Sequence, residues 1–142
     1  MIKQITVFIQ NKIGRIAAIT RLLYENGLNL RAISIADTED FGILRILVDD
    51  QKKAEEVLTE KNVIVEVTDV VVVAVPDRPG GLSKILDLLN DKEISIEYMY
   101  SLIDRGQTSA YMVFRASDNE EMIKVLKESG YETVEGEKLG LR

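Results

Sequence analysis

Asp77-Arg78-Pro79-Gly80-Gly81-Leu82 stands between an apolar run, residues 70–75, and a segment with helical spacing, residues 82–90, and its reading decides the fold. It is a strand-to-helix turn suited to a small anion. Pro79 presets a turn-compatible φ, while Gly80 and Gly81 allow φ > 0 or close backbone approach. The first turn of the helix behind them exposes unpaired N–H groups with partial positive charge. An earlier stretch, Asn11-Lys12-Ile13-Gly14-Arg15-Ile16, repeats the arrangement after the apolar residues 5–9, and Gly80 follows Gly14 by 66 residues. Two such loops imply two related sites.

The segments around the loops repeat as well. Residues 2–10 read as a strand, with Ile5, Val7 and Ile9 on one face and Thr6 and Phe8 on the other. Ile16, Ile19 and Leu23 then follow helical spacing up to the helix-stop pair Asn26-Gly27. Residues 28–36 are apolar, but their alternation slips from even to odd positions, which predicts a bulge. A turn at residues 37–40 leads to a strand over 41–49, a short helix over 52–61 and an alternating strand over 63–67. The first unit is βαββαβ. In the second, Leu82, Ile85 and Leu89 repeat the spacing of Ile16, Ile19 and Leu23 at the same offset, and Ile94-Ser95-Ile96 falls on Leu28-Asn29-Leu30. After the Asp104-Arg105-Gly106-Gln107 turn the offset grows to 68, so that Asp118 falls on Asp50 and Leu126 on Leu58. A last strand spans 131–134, and the tail from 135 to 142 reads as frayed.

Composition bounds the chemistry. The 142 residues are 46% hydrophobic and 30% charged, an ordinary globular balance. A net charge of −6 disfavours a phosphate-backbone binder, so nucleic acid is not expected as a partner. The chain has no Cys and no His, which removes thiol nucleophiles, imidazole bases and nearly all zinc chemistry. No metal and no cofactor are expected. With neither a signal-peptide pattern nor an apolar run near the roughly 20 residues of a membrane span, the reading is cytoplasmic, with no membrane partner.

Each unit is marginal alone, and the connector Val67-Thr68-Asp69-Val70 has no flexible spacer, so domains of 1–67 and 68–142 should pack together. The expected class is α+β: two ferredoxin-like repeats side by side, with the edges of their second strands pairing into one eight-stranded antiparallel sheet that carries its helices on one face. The helix-free face offers Phe8, Arg45, Leu47, Tyr111, Val113 and Arg115, more apolar than solvent requires. A homodimer is therefore expected.

Both halves resemble ACT domains, small-molecule-sensing modules of amino-acid metabolism, and the chain from residue 1 to about 135 resembles a free-standing tandem ACT protein. Residues 77–82 match the family pattern D/N-x-P-G-x-L, with Ser95 as the small polar residue opening the second strand. The first loop departs from it, because Ile13 replaces the Pro and Arg15-Ile16 follow the Gly, while Asn11, Gly14 and residues 27–30 match.

The resemblance implies a free amino acid bound at the junction of the units, each site joining one unit's loop to the other's second strand. Loop 11–16 then faces the strand bearing Met99, Tyr100 and Ser101, and loop 77–82 faces the strand bearing Ser34 and Ile35. Family members that bind serine use an Asn in the loop and one on the second strand, which carry over to Asn11 and Asn29; the second half offers Asp77 and Ser95, so the sites are unequal. Residue chemistry points the same way. Amides around Gly14, Arg15 and Ile16, and around Gly80, Gly81 and Leu82, suit a carboxylate, and Asn11 or Asp77 can accept from an ammonium.

Other readings stay open beside this one. Asn11 and Asp77 also suit Asx turns or helix caps, and Gly14 and Gly80 tight turns. The functional reading is a non-enzymatic regulator with a protein partner. Its alternatives are a ligand-independent interaction module and, further off, an acylphosphatase-like enzyme, for which neither third strand supplies the needed Asn.

Overall fold

Alternation with a period of two makes a strand with unlike faces. The computed structural model, which describes residues 1–10, 12–103 and 109–142, places β1 at Ile2–Gln10 with Ile5, Val7 and Ile9 buried on one side. Asn11 and the expected turn at 104–107 lie outside the described residues. Helix α1, Arg15–Glu25, lays Ile19 and Leu23 onto that side of β1. Strands β2 (Leu30–Asp37) and β3 (Phe41–Val48), helix α2 (Gln51–Glu60) and strand β4 (Ile64–Pro76) complete the first repeat. The second follows with α3 (Gly81–Asp91), β5 (Ile96–Ser101), β6 (Ser109–Ala116), α4 (Asn119–Glu128) and β7 (Thr133–Val134).

Local details repeat at the offsets read from the sequence. The register of β2 shifts between Leu30 and Ala32, and that of β5 between Ile96 and Tyr98, so the expected bulge occurs in both repeats. Asp50 and Asp118 cap α2 and α4 by accepting from the Lys53 and Glu121 amides at 3.2 and 3.0 Å.

Where the sequence reading separates strands at 63–67 and 70–75, the structure has the single β4 of 13 residues. Nothing between them breaks a ladder. Thr68 and Asp69 pair with Gln4 and Lys3 of β1, and the Lys3 ammonium reaches the Asp69 carboxylate at 2.5 Å. The expected boundary at 67/68 thus falls inside a strand, and the antiparallel sheet has seven strands where eight were expected, in the order β2-β3-β1-β4-β6-β5, with β7 on β4.

Alternation along β4 organises both halves. Val65 faces the core under α1 and α2, whereas Val71, Val73 and Val75 face the core under α3 and α4, so all four helices cover one face. Val70, Val72 and Ala74 point the other way, into a third core shared with Ile2, Ala32 and Leu47 of the first repeat and Tyr100, Leu102 and Val113 of the second. The sheet curls around this core until its edges meet. Ala32 and Leu102 form an antiparallel bridge, and the Ile103 amide donates to the Arg31 carbonyl at 2.8 Å.

That curl removes the ground for expecting a homodimer. Leu47 and Val113 are fully buried within one chain, and Tyr111 packs on the same core. The tail also differs from expectation, because it is not frayed. A short 3-10 helix, Gly136–Leu139, buries Leu139 in the shared core, and the Arg142 amide donates to the Asp49 carbonyl at 2.8 Å. Apolar spacing over four residues is too short a signal for the sequence reading to detect. No helix among the described residues is long and apolar enough to cross a membrane.

Candidate functional site

The two strand-to-helix loops have the same internal hydrogen bonds. In the first, the Lys12 amide donates to the Gln10 carbonyl (2.8 Å) and the Arg15 amide to the Lys12 carbonyl (3.3 Å); in the second, the Arg78 amide donates to Pro76 (2.9 Å) and the Gly81 amide to Arg78 (3.0 Å). Gly14 and Gly80 begin their helices at φ of 89° and 83°, a region that an L side chain enters only with strain, and a Cβ on either would meet open space. Gly81 differs. A Cβ there would lie 2.0 Å from the Pro76 carbonyl oxygen, so its requirement is close approach and not an unusual φ.

Unlike α2 and α4, helices α1 and α3 have no side-chain cap among the described residues. Their first-turn amides beyond Arg15 and Gly81, on Ile16 and Ala17 and on Leu82 and Ser83, have no acceptor among the described residues. An open cleft of about 550 Å³ adjoins the first loop, lined by Lys12, Ile13, Arg15 and Ile16 from the loop, Ile35 and Asp37 from β2, and the start of β3. Cations and free amides on one side and the Asp37 carboxylate on the other suit a molecule carrying both charges. Ile13 is fully exposed and Ile35 about half exposed (53%) at its rim.

The structure thus brings Ile13, Arg15, Ile16 and Ile35 together, within one repeat and not across a junction. The cleft also contains Lys12 and Asp37, which the sequence reading did not select; only the β2-to-loop register reveals them. No β5 residue lines it. Met99 and Ser101 are exposed on β5, whereas Tyr100 is buried in the shared core and donates from its hydroxyl to Gln4 Oε1 at 2.5 Å. Tyr100 is therefore a core residue, and burial pushes its hydroxyl pKa well above the ordinary tyrosine range. Gln4, itself buried, donates to Thr6 Oγ1 (3.0 Å) and Tyr98 Oη (2.8 Å), so the amide ties both repeats together.

The remaining expected residues are dispersed. Asn29 lies beyond the far end of α1, about 16 Å of helix from its own loop. Its amide donates to Asp49 Oδ1 and its carbonyl accepts from the Asp49 amide, both at 3.1 Å. Ser95 does the same with Ser117 at 3.3 and 2.9 Å, a strand-opening clasp repeated in both halves. Ser34 pairs with Arg45 on β3. Asp77, Pro79 and Gly80 are exposed on the second loop, Gly81 is buried, and Leu82 packs on the core under α3 and α4.

Comparison with known proteins places this geometry. The family model described as an ACT domain pair matches residues 1–141. A Bacteroides thetaiotaomicron protein of known crystal structure is 38% identical, superposes with a TM-score of 0.90, and is matched over 98% of this chain and 95% of its own. The ligand-free regulatory subunit of aspartate kinase from Thermus thermophilus shares the fold at 15% identity and TM-score 0.63, over 90% of this chain and 92% of its own. Aspartokinase alpha and beta subunits share it at 17% and 0.62, over 89% and 90%. A search of curated proteins finds no match.

Proposed function

The chain belongs to the ACT domain pair family, and from that premise we propose that it is a regulatory protein that binds a free amino acid at its first strand-to-helix loop and signals occupancy to a protein partner. The observation that carries this reading is the pair of matched helix starts with no side-chain cap among the described residues, one of which opens onto a cleft lined by Lys12, Arg15 and Asp37. An α-carboxylate there takes the Ile16 and Ala17 amides and the two cations, and the ammonium takes Asp37 or Asn11. Structurally related proteins include a regulatory subunit of aspartate kinase, which supports a regulatory role.

The two repeats share β4 and one core, so swinging them apart would expose Val70, Val72, Leu47 and Val113 to water. The signal is better carried by the cleft rim. A ligand that orders residues 12–16 against β2 changes the surface around Ile13 and Ile35, where a partner reads it. A second reading has its own observation: Ile13, wholly exposed on a loop tip, also suits a partner that needs no ligand.

A thermal-shift screen against the twenty amino acids separates the two. At a hundred times Kd, one ligand adds about 2.7 kcal/mol of apparent stability. The proposal expects one amino acid to raise the melting temperature of the wild type and not that of Gly14→Asp; a flat response to all twenty leaves the ligand-independent module.

A further inference from the structure

Thr6 lies at the centre of a row that crosses three neighbouring strands, with Arg45 of β3 and Glu66 of β4 as its register partners on the face away from the helices. Adjacent strands lie about 4.8 Å apart, so the two outer residues stand roughly 10 Å apart at Cα with opposite charges facing across a threonine. They do not join. Among the described residues neither makes an ion pair. Arg45 instead lies over the Tyr98 ring, its guanidinium carbon 3.7 Å from the centroid, and Tyr98 is held by its bond from Gln4.

The neighbouring row on the same face, Ile43, Phe8 and Ile64, is apolar. Tyr98 and Arg115 of the second repeat wall the other side of an open cleft of about 190 Å³. Arg115 is already engaged with Glu97 Oε2 (3.2 Å) and the Asp69 carbonyl (2.9 Å). Arg45 and Glu66 are the charges left open, and a simple anion in this cleft would meet Glu66 as a simple cation would meet Arg45. A ligand with both charges at one end and an apolar other end satisfies every wall.

We propose that this cleft is a second small-molecule site, which takes the zwitterion of an α-amino acid with an apolar side chain. The carboxylate pairs with Arg45, the ammonium with Glu66, and the side chain covers Phe8 and Ile43. The site shares no charged residue with the loop cleft and does not depend on that reading. Because its walls come from both repeats, occupancy links them directly.

The test titrates the full-length chain separately with L-valine, L-leucine, L-methionine and L-phenylalanine, up to about 10 mM, following backbone amides by NMR. At least one should move the Thr6, Glu66 and Tyr98 amides, and its affinity should fall about tenfold or more in both Arg45→Gln and Glu66→Gln. The matching amine and the matching carboxylic acid, each lacking one charge, should fail to bind, and Gly14→Asp should leave binding unchanged. Arg45→Lys, which keeps the charge, should fall between wild type and Arg45→Gln. Absence of cleft shifts with all four amino acids, or equal binding by the Gln variants, overturns the proposal. Shifts confined to residues 12–17 would uphold the loop site and overturn this one.

Discussion

Replacing Gly81 by Ala places a Cβ 2.0 Å from the Pro76 carbonyl oxygen and 3.0 Å from its carbon, both backbone atoms. That oxygen already accepts from the Arg78 amide, and Pro76 is held in register with Ser109 of β6, so neither side yields freely. Relief requires α3 to back away by about 1 Å or the turn to open. The first loop shows that an opened turn exists, because it keeps the same bonds with Arg15 at the equivalent position and a longer Arg15-to-Lys12 bond, 3.3 Å against 3.0 Å. The cost is therefore that of ordinary overpacking, about 2–3 kcal/mol. Gly80→Ala meets open space and bears only the strain of φ +83°, about 1–2 kcal/mol. For a chain of this size each kcal/mol lowers Tm by roughly 4 °C, so losses of about 10 °C and about 5 °C are expected in calorimetric melts. A Gly81→Ala loss smaller than that of Gly80→Ala would refute the geometric argument.

Tyr100→Phe should cost about 1–3 kcal/mol in urea unfolding at neutral pH by leaving buried Gln4 Oε1 without its donor. The raised hydroxyl pKa also has a sign: the unfolded chain loses this proton near pH 10 while the folded chain keeps it, so stability falls as pH rises above about 10. The Phe variant should show a shallower alkaline decline than wild type, and an identical slope would contradict burial of the hydroxyl. Asp50→Ala and Asp118→Ala should cost nearly equal amounts, about 1 kcal/mol each, measured by the same unfolding, because the caps are equivalent. Leu139→Ala should cost about 2–3 kcal/mol, whereas a frayed tail would make it neutral.

Much of this was legible in the sequence because repetition doubles every local signal. The glycines of the two loops, the spacing of Ile19 and Leu23 against Ile85 and Leu89, and the matched residues Asp50 and Asp118 recur in register, and each repeats in the structure, the two aspartates as helix caps. What escaped depends on long-range geometry. That β4 is one strand follows from its pairing with β1 and β6, which local pattern does not specify. The parity of Leu47, Tyr100 and Val113 shows that they share a face but not that the sheet curls to bury it. Lys12 and Asp37 approach each other only through the β2 register, and the Arg45–Thr6–Glu66 row exists only once three strands are aligned.

The claim that the helix start at Gly14 receives an amino-acid carboxylate is tested most directly by recording amide NMR spectra of the wild-type chain with each of the twenty L-amino acids. The account predicts that one of them shifts the Ile16 and Ala17 amides in a saturable way, as new hydrogen bonds form on groups that have no acceptor among the described residues. If those amides stay in place with all twenty, the loop is a turn and not a binding site.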